Sequence, residues 1–163
     1  MLNVTAVNQT RANLVTVPIG VSGQVRLYTL TGTHLVVDVT GYYLDQPGPT
    51  SAGRTIVVSP QRIFDSRETE PAPGPRGRIP NGGTIEITAI GHGSVPNNAA
   101  AIIATVTATE ASAPGFVTAY PAGTPRPETS NLDLDTFNAT AAGQIMVPIG
   151  DNGNIMLYTL ANR

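Results

Sequence analysis

The chain of 163 residues is poor in charge and rich in turn-forming residues. Its eleven acids and nine bases leave a net charge of −2, and every base is Arg, so it lacks the dense positive surface that nucleic acid or a polybasic membrane anchor requires. Cysteine is absent, which excludes disulfides and thiolate chemistry, and no apolar run approaches the roughly 20 residues of a membrane-spanning helix. The 17 Gly and 14 Pro, set among many Thr, Val and Ile residues, favour strands joined by turns.

The first 44 residues contain four predicted strands. Residues 2–7 and 13–19 are rich in β-branched and apolar side chains and are separated by a polar loop. Residues 20–23 supply a turn, after which residues 24–30 form the returning strand of a hairpin. Residues 34–43 alternate as a half-buried strand does. One face of that strand carries His34, Val36, Asp38, Thr40 and Tyr42, and the other carries Leu35, Val37, Val39 and Tyr43.

A second unit begins after a linker. Residues 45–53 combine Pro, Gly and small polar residues, which favour an extended and exposed connection. From residue 54 onward, short predicted strands alternate with Gly- and Pro-rich turns without helical periodicity. The sequence therefore predicts an all-β fold without significant helix, a β-sandwich with jelly-roll-like connections. Its predicted parts are residues 1–44, the linker 45–53 and a main unit at 54–163, with strands at 55–59, 84–90, 99–110 and 116–120 and in the last 33 residues.

The chain begins and ends with two copies of one segment. Residues 1–33 align without a gap on residues 131–163, and 13 of the 33 pairs are identical. The shared stretches include Val-Pro-Ile-Gly, which ends at Gly20 and Gly150, and Leu-Tyr-Thr-Leu, which ends at Leu30 and Leu160. A period of 130 residues is the size of a whole domain, so the pattern predicts tandem domains or units that complete one another.

Five motifs follow one another along the chain, and together they resemble a domain of secreted and cell-surface proteins of actinobacteria. That domain occurs in tandem, often beside hydrolase or amidase domains, and the similarity covers nearly the whole chain. The stretches that carry it are Asn-Leu-Val-Thr-Val-Pro-Ile-Gly at 13–20, Leu-Val-Val-Asp-Val-Thr-Gly-Tyr-Tyr at 35–43, Arg-Ile-Phe-Asp-Ser-Arg at 62–67, the strand at 100–109, and Gly-Phe-Val-Thr-Ala-Tyr-Pro-Ala-Gly at 115–123 with Arg126-Pro127 and Ser130-Asn131-Leu132.

The resemblance implies an extracellular or cell-surface bacterial module of all-β structure, and it implies no catalytic residues. Units of that family end with a strand of the type found at residues 34–43, whereas the second unit here reaches Arg163 before such a strand. On this comparison, residues 1–44 hold the closing strands of a preceding unit, and the main unit lacks its own last strand.

These features predict a non-enzymatic structural subunit of a bacterial surface assembly or fibre. A sandwich without its last strand exposes unpaired N–H and C=O groups. A strand donated by a neighbouring chain would close that edge, and the head-to-tail contact would propagate. We expect copies of the chain, or tandem sister domains, as partners, and we expect the donor to lie on a sheet edge and not free in solvent. The predicted strand-donor residues are His34, Leu35, Val36, Val37, Asp38, Val39, Thr40, Tyr42 and Tyr43.

The alternative is a carbohydrate- or cell-wall-binding module of a larger secreted protein, with the tyrosines lining a sugar-binding face. Under that hypothesis the duplication marks tandem modules, and the partner is a cell-wall glycan. An enzyme is not expected, because neither His34 nor His92 is accompanied by a nucleophile motif such as Gly-x-Ser-x-Gly. No cofactor is implied.

Two arginines flank a carboxylate in the motif at 62–67. A buried carboxylate needs a partner, and Arg is the natural one. We therefore expect Arg62, Asp65 and Arg67 to form a structural polar cluster that holds a loop, together with Asp38. The alternative is that this cluster binds a ligand.

Two acidic residues, Asp133 and Asp135, share a strand face near Glu128. These oxygens suit calcium, but calcium takes six or more ligands. The first copy of the repeat has Asn3 and Thr5 at the corresponding positions. We therefore expect a solvated strand face, with a calcium site as the alternative.

Overall fold

The computed structural model of the chain describes residues 4, 6–7, 9–30, 32–41, 55–67 and 72–161. Within these ranges the regular structure is six strands and one short 3-10 turn. The elements are β1 (Thr84–Thr88), β2 (Ala101–Ala108), β3 (Gly115–Pro121), β4 (Leu132–Leu134), β5 (Ala141–Pro148), η1 (Asp151–Gly153) and β6 (Asn154–Ala161).

The six strands form two antiparallel sheets. One sheet has the order β1-β6-β3-β4, and the other consists of β2 and β5. The chain changes sheet at every step except from β3 to β4, so consecutive strands mostly lie in opposite layers. The prediction of an all-β sandwich is confirmed, and the repeated changes of sheet agree with jelly-roll-like connections.

One apolar core lies between the two sheets, because alternate residues of each strand point inward. Ile102 of β2 is opposite Val147 of β5, and both are buried. In the facing sheet, Leu157 of β6 is buried beside β3. The buried core contains Ile87, Ala89, Ile102, Val117, Leu132, Ile145, Val147, Ile155 and Leu157, so every strand contributes to it.

Several predicted strands make no sheet ladder within one chain. Residues 13–19, 24–30 and 55–59 are described but join neither sheet, and the described part of the closing strand, residues 34–41, is also outside both. An extended segment becomes a strand only when a neighbouring edge pairs with its N–H and C=O groups, and alternation alone supplies no such edge. The expectation that the closing strand lies on a sheet edge is therefore wrong for residues 34–41 of the single chain. The linker 45–53, Tyr42 and Tyr43 lie outside the described residues.

The two copies of the repeat differ in burial although their sequences match. Leu157 of the second copy is 7% exposed, whereas Leu27, in the same Leu-Tyr-Thr-Leu stretch of the first copy, is 58% exposed. Val147 is likewise buried, whereas its counterpart Val17 is exposed. The first copy therefore presents to solvent an apolar pattern that the second copy uses to build β5 and β6.

This difference predicts unequal costs for one substitution at matched positions. Leu157→Ala should lower the free energy of unfolding by about 2–5 kcal/mol, because it removes a core side chain and leaves a cavity. Leu27→Ala should change it by less than about 0.5 kcal/mol in the monomer. Urea denaturation at low protein concentration measures both. Equal losses would show that the first copy is also packed in the core.

Candidate functional site

The turn of the repeat has the same hydrogen bonds in both copies. In residues 20–24 and in residues 150–154, the first N–H donates to the fifth carbonyl at 2.9 Å. The fourth N–H donates back to the first carbonyl, at 2.9 Å in the first copy and 3.2 Å in the second. Local sequence therefore sets the turn, whereas the strands on either side form only where other strands are present to pair with them.

The turn of the second copy is docked against the rest of the sandwich. A Cβ at Gly150 would overlap the backbone of Ala122, and a Cβ at Gly153 would overlap the side chain of Ile90. In the first copy, a Cβ at Gly23 would meet no atom within 4 Å. The first turn has the shape needed for docking but no docking partner within the described residues.

The described part of the closing strand, residues 34–41, has no regular secondary structure and is solvent-exposed. Val36 is 88% exposed, and Leu35 and Val37 are each more than half exposed. Residues 38–40 nevertheless pass beside the sandwich, where they line a depression of about 180 Å³. The other lining residues come mainly from the end of β3 and the end of β5: Ala119, Tyr120, Pro121, Pro127, Thr129, Asn131, Met146, Val147 and Pro148.

The sheet beside this depression is the smaller of the two. It has two strands against four in the facing layer, so β2 and β5 each have one edge that no other strand of the described ranges pairs with. Such edges carry backbone N–H and C=O groups that favour pairing with another strand. The open edges and the depression make this layer the candidate acceptor for a closing strand.

Residues 9–11 lie near β4, at the edge of the larger sheet. The guanidinium of Arg11 is 3.2 Å from a carboxylate oxygen of Asp135, and the side-chain amide of Gln9 donates to the same oxygen at 3.3 Å. Thr10 lines a second depression together with Phe116. Residues 9–11 are therefore tethered to the sandwich by polar contacts, and these three residues join no strand ladder.

The predicted polar cluster brings together three of its four members. Asp65 accepts hydrogen bonds from Arg67 through Nη2 at 2.7 Å and through Nε and the backbone N–H at 3.0 Å, and from Arg62 Nη1 at 2.9 Å. The hydrogen bonds from the Arg67 side chain, followed by the one from its backbone, hold the pKa of Asp65 well below its usual range. Asp38 is exposed and lines the depression between β3 and β5. The geometry is that of a loop-holding ion-pair cluster.

Sequence reasoning missed a third arginine of this cluster. Arg76 donates to the carbonyls of Asp65 at 2.7 Å, Arg67 at 3.2 Å and Ala72 at 2.6 Å. The partners that the described residues give it there are backbone oxygens, which no residue type marks in the sequence. Its position in a Pro- and Gly-rich stretch indicated a loop but gave no sign of its partners.

The three acidic residues considered for calcium do not all lie in one place. Asp133 and Asp135 line the same depression as Phe116, whereas Glu128 is exposed and is not among its lining residues. Burial is the main cause that raises the pKa of Asp133, and the charge of Asp135 raises it further against an opposing hydrogen bond from Ser130. Within the described ranges, no group of three or more His or acidic side chains is arranged to hold a metal.

The loop between β3 and β4 covers the outer face of the larger sheet. The Thr118 hydroxyl is buried on that face and donates to the carbonyl of Thr129 at 2.5 Å. The guanidinium carbon of Arg126 lies 4.4 Å from the ring centre of Tyr158, a cation–π geometry. The Asn131 side chain accepts a hydrogen bond from the backbone N–H of Ala119 at 2.7 Å. The Arg-Pro and Ser-Asn-Leu motifs therefore hold a loop on the sheet, and Arg126 occupies one ring face of Tyr158.

The two histidines lie in different surroundings. His34 is on the exposed segment at residues 34–41, and His92 is in a turn where its carbonyl accepts a hydrogen bond from the backbone N–H of Val95 at 2.9 Å. In the part of the chain that the structure describes, we find no helix with the length and apolar character needed to span a membrane. Comparisons with protein-family models, curated proteins and solved structures found no match.

The lowered pKa of Asp65 predicts how its contribution to stability varies with pH. A depressed folded-state pKa gives stability that is present above the unfolded value, about 3.9, and is lost as pH falls below it. Asp65→Asn should therefore destabilise the protein at neutral pH, and the gap to the wild type should narrow on acidification. Denaturation midpoints from pH 7 to pH 3 measure this. Glu110→Gln, which breaks the exposed pair with Arg78, serves as the control and should have little effect.

The raised pKa of Asp133 predicts that its contribution to stability depends on pH in the opposite direction. Its raised pKa means that the folded protein binds the proton more tightly than the unfolded chain does. The resulting stability is complete below about pH 3.9 and is lost as pH rises through the raised value. Asp133→Asn should increase stability at neutral pH and flatten this decline, as measured by thermal unfolding across pH. Glu128→Gln is the matched control, and a destabilising effect of Asp133→Asn at neutral pH would contradict the assignment.

Proposed function

We propose that the protein is a non-enzymatic structural subunit of an extracellular bacterial surface assembly, joined head to tail by β-strand complementation. The observation that carries the proposal is the contrast between the two copies of the repeat. Leu157 is buried in the sandwich, whereas Leu27 of the matching stretch is exposed. An apolar pattern that is buried in one copy and exposed in the other favours association of the exposed copy with another chain.

The acceptor in this proposal is the smaller sheet. Its two strands leave backbone edges that no other strand of the described ranges pairs with. Next to β5, the depression at residues 146–148 opens between the layers and already has residues 38–40 along one side. An added strand would extend this sheet and cover the depression.

The donor is the closing strand, residues 34–43. Its described part is exposed and joins neither sheet of its own chain. The apolar face with Leu35, Val37 and Val39 would point into the partner's core, and the face with Val36 would point outward. The described part of this segment forms no ladder within its own chain, which supports a pairing edge supplied by a second chain.

The mode of association follows from the positions of donor and acceptor. The donor precedes the sandwich in sequence, and the acceptor is the sandwich itself, so each chain presents two different surfaces. Contacts between unlike surfaces generate rings or open filaments. The partners would be copies of the chain or tandem sister domains, and the resemblance to actinobacterial surface domains supports a location outside the cell.

Adjacent valines of the donor provide a matched test of this assembly. Val37→Asp should abolish concentration-dependent association, because it puts a charge on the face that enters the partner's core. Val36→Asp introduces the same charge on the outward face and should leave association largely intact. Sedimentation velocity over a wide range of protein concentrations, with electron microscopy of the largest species, measures the effect. A wild-type protein that remains monomeric at every concentration would overturn the proposal.

A further inference from the structure

We infer that residues 11–30 are an exchangeable β-hairpin that fits the position of β5 and β6 on a second copy of this unit. This goes beyond the proposed function, in which the donor is residues 34–43 and the acceptor is an open edge of the smaller sheet. Here the donor is residues 11–30 and the acceptor is the position of β5 and β6, and the exposure of Leu27 is an observation common to both. The surface in question is formed by β1, β2 and β3, the strands that pair with β5 and β6.

The core positions of the two hairpins have matching chemistry. Val15, which corresponds to the buried Ile145, is smaller by one methylene, as is Val25 at the position of Ile155. The other two core positions carry identical residues in both copies. The inward-facing pairs are Val15 and Ile145, Val17 and Val147, Val25 and Ile155, and Leu27 and Leu157. Hydrophobic replacements of nearly the same volume are well tolerated in a core.

The first turn has a glycine at position 20, although no docking contact among the described residues requires one there. At Gly150, glycine is needed because the Ala122 backbone occupies the place of a Cβ. At Gly20, the close neighbour is the carbonyl of Gln24 within the same turn, at 3.0 Å from an added Cβ. A first copy placed on a surface like that of Ala122 could therefore approach it as closely as the second copy does.

The outer face of the hairpin has a matching aromatic ring. Tyr28 is 85% exposed, whereas the corresponding Tyr158 lies under the guanidinium of Arg126. Placed in the β6 position, Tyr28 would lie under the same guanidinium of the second copy. The exchange would thus give the first hairpin the contacts that the second hairpin makes, on its outward face as well as on its core face.

The fit is closest over residues 15–30 and looser at the start of the hairpin. Asn13 corresponds to Gly143, where an added Cβ would lie 3.3 Å from the Asn131 carbonyl and from the Leu132 side chain. These atoms must move by a few tenths of an ångström to admit a side chain. The exchange therefore involves a small adjustment of β4.

In each chain, β5 and β6 already occupy this position, so two hairpins compete for one place. An acceptor is created when the chain's own second hairpin is prevented from docking. Gly150→Val with Gly153→Val achieves this, because both side chains would collide with the docking surface. Adding Gly20→Val and Gly23→Val to the same chain prevents it from supplying its own first hairpin.

The experiment mixes this tagged four-substitution acceptor with an untagged donor during refolding. The donor has an intact first hairpin, and the control donor carries Gly20→Val and Gly23→Val. Every chain also carries Val37→Asp, so that closing-strand pairing does not contribute and a failure here is separate from failure of the proposed function. We expect the acceptor to capture at least about tenfold more of the intact donor than of the control donor. Equal capture of both donors, or capture of neither, would overturn the inference.

A milder variant distinguishes hairpin exchange from misfolding of the four-substitution acceptor. Gly150→Ala weakens docking of the second hairpin by contact with Ala122 and leaves the first hairpin intact. With Val37→Asp present, its Tm should rise with protein concentration, and further addition of Gly20→Ala should remove that rise. A concentration-independent Tm would overturn the assignment to a second copy, whether or not Gly20→Ala lowers it.

Discussion

The structure depends on one constraint: a β-hairpin with an apolar face is stable only where another sheet edge pairs with its backbone and another layer covers its side chains. The second copy of the repeat meets both conditions. It forms β5 and β6, and the buried Ile145 and Leu157 lie in the common core. The first copy has the same turn and an almost identical apolar pattern, yet Leu27 remains exposed. Comparing the two copies therefore shows what strand pairing and packing add to the local preference of the same sequence.

The same constraint separates what the sequence could predict from what it could not. Strands at 84–88 and 115–121 were close to their predicted positions, because alternation and flanking turns are local signals. Local signals also placed a turn correctly at residues 20–23. The alternation at residues 34–41 was equally clear, but no ladder forms there in one chain, since pairing depends on a partner edge that periodicity does not encode.

The polar contacts show a similar division. The Arg62, Asp65 and Arg67 group was predictable because opposite charges lie within six residues of one another. Arg76 was not, since it binds backbone carbonyls, and Asp38 lies away from the cluster. The packing of Arg126 on Tyr158 joins residues 32 positions apart, and it depends on how the loop after β3 folds across the sheet. The Arg-Pro motif marks Arg126 in the sequence without indicating its role. The cation–π contact with Tyr158 supplies that role.

The central claim is that residues 34–43 become a sheet strand on another chain. Amide hydrogen exchange of the full chain, compared between dilute and concentrated protein, tests it most directly, because protection reports hydrogen bonds residue by residue. We predict that the amides of residues 35–40 exchange freely in the dilute protein and become protected at high concentration, whereas those of β5 and β6 are protected in both. Free exchange of residues 35–40 at every concentration would contradict the account.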